Sequence, residues 1–323
     1  MIDSQVALIR AVQEQAAWLS APAHFFSVLG HPGCYLLIIA YLYWGRNPHL
    51  GLRLGLLMGI SAGINGVLKA LLHFPRPYWV SPDVGALGCH PSFSLPSTHA
   101  QVAVTFWGLA AATVRRRWFS IVAVVIIALI GASRIVLGVH FPTDIVAGFL
   151  VGVAVLGGFF ALERPVGRKI AALSPGEKVF AAFAGSLVLV LISVSALVVL
   201  GDWEVPASWA AQAIAGSGEP IAPLSLRDAM TTSGFFFGFG AGAALDRRSG
   251  CVSAETERSA HLLRYIVGIA VAGTIWFGFG LLVPQDAGLA ALTLQYLQAA
   301  VVGAWISFGA PATFSRLDPV DRS

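Results

Sequence analysis

Charge is scarce in this chain. Only 11% of its 323 residues are Asp, Glu, Lys or Arg, against 57% hydrophobic, and mean hydropathy is +0.77. Several apolar runs reach the roughly 20 residues needed to span a bilayer, which excludes a soluble globular protein and predicts an all-α, polytopic integral membrane protein. Cysteine is nearly absent too: Cys34, Cys89 and Cys251 are too few and too scattered for a disulfide framework or a zinc site. There is no basic patch. The net charge of +4 is spread over short loops between apolar runs, so it reads as membrane topology and excludes a nucleic-acid partner. Internal repeats and low-complexity segments are also missing. Residues 1–20 lack a basic start, an apolar core and a small-residue cleavage site, so no removable signal peptide is expected. Val6, Ile9, Val12, Ala16 and Leu19 fall on one side of a helix. This predicts an interfacial segment over residues 1–24, with a loosely ordered polar lead-in as the alternative.

What is present begins with nine predicted spans, at 25–44, 51–72, 99–114, 119–138, 143–162, 179–200, 228–245, 262–283 and 287–309. An odd number puts the termini on opposite sides. With the N-terminus outside, the Lys and Arg residues collect in the cytoplasmic loops and tail, except Arg10, Lys69, Arg76, Arg134 and Arg227. The expected organisation is an N-terminal segment 1–24, a core 25–162 and a transmembrane extension 163–323 with its C-terminus in the cytoplasm. A bacterial inner membrane is the expected location.

Three polar blocks stand at the ends of apolar runs: Lys69 with Arg76-Pro77; Pro96-Ser97-Thr98-His99; and Ser133-Arg134 with His140 and Asp144. The predicted topology brings all three to the non-cytoplasmic face. Charges at such positions are costly unless paired or functional. A phosphoryl group in transfer spreads negative charge over three oxygens and is stabilised by fixed cations and N–H donors, which Lys69, Arg76 and Arg134 would supply. Snorkelling from a helix end explains Lys69 alone equally well. Ser97 is placed to cap the helix that follows, whose free N–H groups would bind an anion, with His99 in its first turn. His140 and Asp144 are four apart, so the carboxylate can accept one ring N–H and leave the other nitrogen free to attack. Asp144 also suits a helix first turn on dipole grounds alone.

Together these blocks resemble the three-part signature of the type 2 phosphatidic acid phosphatase family: Lys69 to Pro77, Pro96 to His99 and Ser133 to Asp144 match at every spacing, within residues 25–160. The family is similar in membrane fold to glucose-6-phosphatase and in its site to vanadium haloperoxidases. The resemblance implies roles. His140 would be the nucleophile, oriented by Asp144; His99 would protonate the leaving oxygen; Lys69, Arg76, Ser97, Thr98 and Arg134 would hold the phosphate. No metal or cofactor would be required. Thr98 departs from the usual Gly, and the added Cβ narrows the room beside the phosphate. Sphingosine phosphate phosphatases are similar in carrying Pro-Ser-Thr-His.

The expected activity is therefore metal-independent hydrolysis of a lipid phosphate monoester through a phosphohistidine, with lipid phosphate and membrane lipids as partners. A polyprenyl diphosphate phosphatase, a phosphotransferase, a sugar phosphate phosphatase and a non-catalytic phospholipid transporter or binder are the alternatives. A neutral His140 working with a protonated His99 predicts a bell-shaped pH–rate profile. Tyr78 and Trp79 are expected as interfacial anchors or the lining of a lipid entrance. His73, Asp83, Cys89 and His90 fit no common metal-ligand spacing. Glycines at 234, 238 and 242, and at 55, 59 and 63, predict close helix packing within the chain, or alternatively a homodimer interface.

Overall fold

The computed structural model describes residues 2–246, 258–284 and 288–317. Among them there are helices and no strands: α1 (Ile2–Gln15), α2 (Ser20–Leu29), α3 (Pro32–Tyr41), α4 (Pro48–Leu72), α5 (Pro77–Val80), α6 (Thr98–Val114), α7 (Arg117–Val136), α8 (Pro142–Ala171), α9 (Pro175–Leu200), α10 (Ala207–Ser217), α11 (Arg227–Leu245), α12 (Arg258–Gly280), α13 (Leu289–Ala304) and α14 (Ala310–Leu317). Cys251 and the residues Arg247, Arg248 and Arg322, expected on the cytoplasmic side, lie outside the described residues.

Six helices are long and apolar enough to cross a membrane, or seven when one bent pair is taken as a single span. Nine is therefore not reached among the described residues. The predicted span 25–44 is broken, because its two halves meet at an angle of 51°. Pro32, which lacks an N–H and whose ring blocks helical continuation, opens the second half. The predicted spans 99–114 and 228–245 are helices but fall outside that set. α6 has 17 residues, and α11 starts on Arg227, Asp228, Thr231, Thr232 and Ser233. The basic loop expected at 163–178 is mostly helix: α8 continues through Arg164 and Arg168 to Ala171, and only residues 172–174 separate it from α9.

The chain forms two compact units, each built from three separate stretches of sequence. One comprises residues 1–34, 64–159 and 192–225, the other 35–63, 160–191 and 226–323. In the second unit the glycine stripe of α11 packs against α13 within the chain. A Cβ at Gly234 would lie 2.2 Å from the Tyr296 carbonyl oxygen, and one at Gly238 1.8 Å from that of Ala300. Arg53 and Glu163 form an ion pair in the same unit.

The first unit carries every polar block. Its core joins Tyr78, Trp79, Val84, Phe93, Val139 and Phe141 to Ile9 of α1 and Ala213 of α10. Tyr78 and Trp79 are thus buried, at 1% and 0% exposure, and are neither interfacial anchors nor an entrance lining. Burying rings of this size dominates core energetics. The partners that bury them arrive late in the chain: Trp209 lies 6.4 Å from Trp79 ring to ring, and Trp203 lies 5.7 Å from Phe93. α1 is docked as well as amphipathic. Gln13 donates to the carbonyls of Gly85 and Val136 and accepts from the Gly85 N–H.

Candidate active site

The end of α7 and the start of α8 build the centre. α7 stops at Val136, and Gly138, at φ +71°, turns the chain back so that the N–H groups of Val139 and His140 both donate to the Arg134 carbonyl. A left-handed φ of this kind is open to Gly at little cost. This turn ties Arg134 to His140 and accounts for their spacing. α8 then opens on Pro142, and the Asp144 carboxylate reaches back to accept from the Phe141 N–H at 2.8 Å, one half of a capping box.

The same oxygen, Asp144 Oδ2, lies 3.3 Å from His140 Nδ1 and accepts from the Ser94 hydroxyl. Ser94 Oγ is also 3.1 Å from His140 Nδ1, so one hydroxyl bridges imidazole and carboxylate. On the other edge of the ring, Arg76 Nη1 is 3.2 Å from His140 Nε2. A guanidinium can only donate, so Nε2 presents its lone pair and the ring proton sits on Nδ1, facing Asp144. Burial first, then the positive charges of Arg76, Lys69 and Arg134, hold the imidazole well below its ordinary pKa and keep it neutral.

Arg76 uses all five of its N–H donors. Nε donates to the Ser92 carbonyl; Nη1 to the Val139 carbonyl and His140; Nη2 to the Ser92 hydroxyl and the Phe93 carbonyl. It occupies the position just before α5, with Pro77 first in that helix, and its guanidinium stands 6.0 Å from the Trp79 ring centroid. Lys69 does not snorkel. It is 6% exposed, and Nζ donates to the carbonyls of Phe93 and Ser94. The two cations therefore hold residues 92–94 against the histidine.

Ser97 is the N-cap of α6, and its hydroxyl accepts from the Ala100 N–H at 3.5 Å. Its own N–H donates to the Asp144 carbonyl at 3.0 Å, tying the second block to the third. That approach depends on Gly148, where a Cβ would lie 2.7 Å from the Ser97 carbonyl oxygen. Thr98, the first residue of α6, uses its hydroxyl: it donates to Asn65 Oδ1 at 2.6 Å, while Asn65 Nδ2 donates to Gln101 Oε1 and the Pro96 carbonyl. The side chain that replaces the usual Gly is thus held toward α4. Arg134 is buried, donating from Nη1 to the Ser27 hydroxyl and from Nη2 to His90 Nε2. The His90 ring is 5.8 Å from that of His99, which lies within electrostatic reach of Arg134, Arg76 and Lys69.

The structure brings His140, Asp144, Arg76 and Lys69 into one connected cluster, with Ser97 joined to it through Asp144 and Thr98 through Asn65. Arg134 joins through the backbone turn, and His99 stands beside His90. No group of three His, Cys, Asp or Glu among the described residues is gathered as an ion-binding cluster. Sequence reasoning missed Ser94 and Asn65, and it weighed His90 only as a metal ligand. Asn65 left a signal, a polar residue one helical turn before Lys69 in an apolar run. Ser94 left none, because a serine in an irregular loop is unremarkable until folding brings it to His140. Ser94→Ala removes one bridge while the direct Nδ1–Oδ2 contact and the Phe141 N–H remain. The expected result is a kcat lower by about 10-fold with KM little changed, read from steady-state kinetics.

An all-helical membrane protein that buries a neutral, carboxylate-backed histidine among cations has the makings of a phosphatase. The comparisons agree. The PAP2 superfamily model matches residues 50–168, and the model for the transmembrane extension of PAP2 superfamily phosphatases matches residues 230–322. Phosphatidylglycerophosphatase B of Bacillus subtilis is 31% identical over 155 residues, covering 44% of this chain and 74% of that protein. Sphingosine-1-phosphate phosphatase 2 of Mus musculus is 28% identical over 164 residues, covering 48% and 45% respectively. An undecaprenyl-diphosphatase of Sulfolobus acidocaldarius is 27% identical over 140 residues, covering 43% and 68%. The chain belongs to the PAP2 superfamily and is an integral membrane phosphatase of that family.

Proposed function

We propose that the protein hydrolyses a lipid phosphate monoester through a phosphohistidine on His140, at the non-cytoplasmic face of the membrane. The observation that carries this reading is the state of His140: Nε2 carries a lone pair, Nδ1 is backed by Asp144 and Ser94, and Lys69, Arg76 and Arg134 surround the ring electrostatically. The phosphoryl group would take the place of Arg76 Nη1 on Nε2. The N–P bond forms as the ester P–O bond breaks, and His99 gives a proton to the departing alkoxide. Water then attacks phosphorus with His99 as base; the N–P bond breaks, and inorganic phosphate leaves. Lys69, Arg76, Arg134 and the N–H groups at the start of α6 would bear the charge of the equatorial oxygens. No metal has a part in this scheme. Relatives named for sphingosine-1-phosphate and phosphatidylglycerophosphate support a lipid monoester, and the one named for undecaprenyl diphosphate makes the diphosphate the rival substrate.

The test is phosphate release by the purified protein in detergent with excess EDTA, across sphingosine phosphate, phosphatidic acid, phosphatidylglycerophosphate, prenyl mono- and diphosphates and glucose phosphate. Release from a lipid monoester that survives EDTA is the expected result; release only from a diphosphate, or only with added metal, would overturn the reading. Orientation is tested separately. Cys89 is exposed, and as the only cysteine left after replacement of the other two it should react with a membrane-impermeant maleimide added from the non-cytoplasmic side.

The environment of His140 also displaces one limb of the pH profile. The reactive form is neutral, and its pKa lies well below the ordinary value of about 6.5. As pH falls through 6.5 the nucleophile therefore stays deprotonated, and its acid limb appears only at lower pH. A kcat/KM profile whose acid limb has its midpoint at 6.5 or above would contradict this assignment of the nucleophile.

A further inference from the structure

We infer that His90, which lies outside the three-part signature, is a positioning residue of the phosphate site that aligns Arg134. The inference rests on the reading of the site as phosphate-binding. Three observations converge. First, His90 Nε2 lies within hydrogen-bond distance of Arg134 Nη2; because the guanidinium can only donate, His90 is the acceptor. Second, its backbone is clamped on both polar atoms: Tyr78 Oη donates to the His90 carbonyl and accepts from the His90 N–H, each at 3.1 Å. Tyr78 is itself buried two residues after Arg76, so the first signature block places the loop histidine that meets the third block. Third, Ser27 holds Nη1 of the same guanidinium, and Nε is buried with no partner among the described residues. Two fixed acceptors on the two terminal nitrogens set the plane of the guanidinium and leave the Nε–H edge for a substrate oxygen, the fixed geometry that a planar anion-binding fork requires.

His90 also has the electronic state this role demands. Burial first, then the charges of Arg76 and Arg134, hold its pKa far below the ordinary imidazole value, so its lone pair is available to Arg134. On its other side it lines a cavity of about 140 Å³ with Tyr78 and Glu219. Truncating His90 therefore joins this cavity to the space beside Arg134, and free imidazole can enter.

The experiment compares His90→Gln, His90→Leu and His90→Ala in the full-length protein, reading kcat, KM and the inhibition constant for inorganic phosphate. Gln keeps an acceptor; Leu keeps bulk without one. His90→Leu and His90→Ala are expected to lose about 10- to 100-fold in kcat/KM, the loss expected on removing an acceptor from a charged donor. The loss should appear with weakened phosphate inhibition. His90→Gln is expected to stay within about threefold of the unaltered protein, and added imidazole should restore His90→Ala but not His90→Leu. Equal losses in Gln and Leu without imidazole rescue, or no loss in either, would overturn the role of His90 while leaving the phosphatase reading intact. Failure of the unaltered protein to release or bind phosphate would instead overturn that reading, and this inference with it.

Discussion

His140→Ala is expected to abolish phosphate release, by a factor on the order of 10⁴ to 10⁶, because in the proposed scheme every other group at the site acts on a reaction that this nitrogen begins. Asp144 would keep its contacts to Ser94 and the Phe141 N–H, so the start of α8 should survive the substitution. A buried imidazole is lost, and with it a partner of Arg76, so some loss of thermal stability accompanies the change. The informative readout is the covalent intermediate. Rapid quenching of the unaltered protein with labelled substrate should trap a phosphoramidate that is stable to base and labile to acid, and the variant should trap none. Phosphate release by His140→Ala within tenfold of the unaltered protein would end the phosphohistidine scheme.

Asp144→Asn is the second large effect, and it separates orientation from nucleophilicity. Asp144 Oδ2 accepts from the Ser94 hydroxyl and the Phe141 N–H and faces His140 Nδ1, while Oδ1 is buried with no partner among the described residues. An asparagine that keeps its oxygen toward these donors places an NH2 group where Oδ1 stood, burying an unsatisfied donor. One that turns over points the NH2 group at the Phe141 N–H and the imidazole N–H. In either case the anion that fixes the Nδ1–H tautomer and offsets the charge developing on the attacking ring is gone. A fall in kcat of about 10³- to 10⁴-fold is expected, the size seen when the orienting aspartate of a serine-protease triad is changed in the same way. KM should change far less. A parallel loss of folded protein would point instead to the capping role of Asp144, which thermal unfolding of the variant would reveal. The contrast with the tenfold effect expected of Ser94→Ala then ranks charge above the bridging hydroxyl.

The spacings within each block were legible because each is a local device. Arg134 and His140 are joined by a single turn through Gly138, and His140 and Asp144 by the first turn of α8. Ser97 could be read as a cap because it precedes an apolar run. The membrane class followed from composition alone. The number of spans was less legible: Pro32 breaks the first, and α6 and α11 spend residues on polar work at their N-terminal ends that a purely spanning helix would not. Tyr78 and Trp79 were misplaced because an aromatic pair beside a charged loop looks the same whether it meets lipid or a core. Trp203 and Trp209, which help decide the matter, lie more than 120 residues further along.

By itself, then, the sequence determined the membrane class, the family and the short-range geometry of each polar block, since hydropathy, helix starts and turns depend on neighbours a few residues apart. Only the tertiary structure decided how those blocks meet: Ser94 between imidazole and carboxylate, Asn65 against Thr98, His90 against Arg134, and residues 201–225 over the aromatic core. These are contacts between segments tens to more than a hundred residues apart in the chain. Their partners are ordinary serines, asparagines and histidines, whose chemistry is set by where the fold places them.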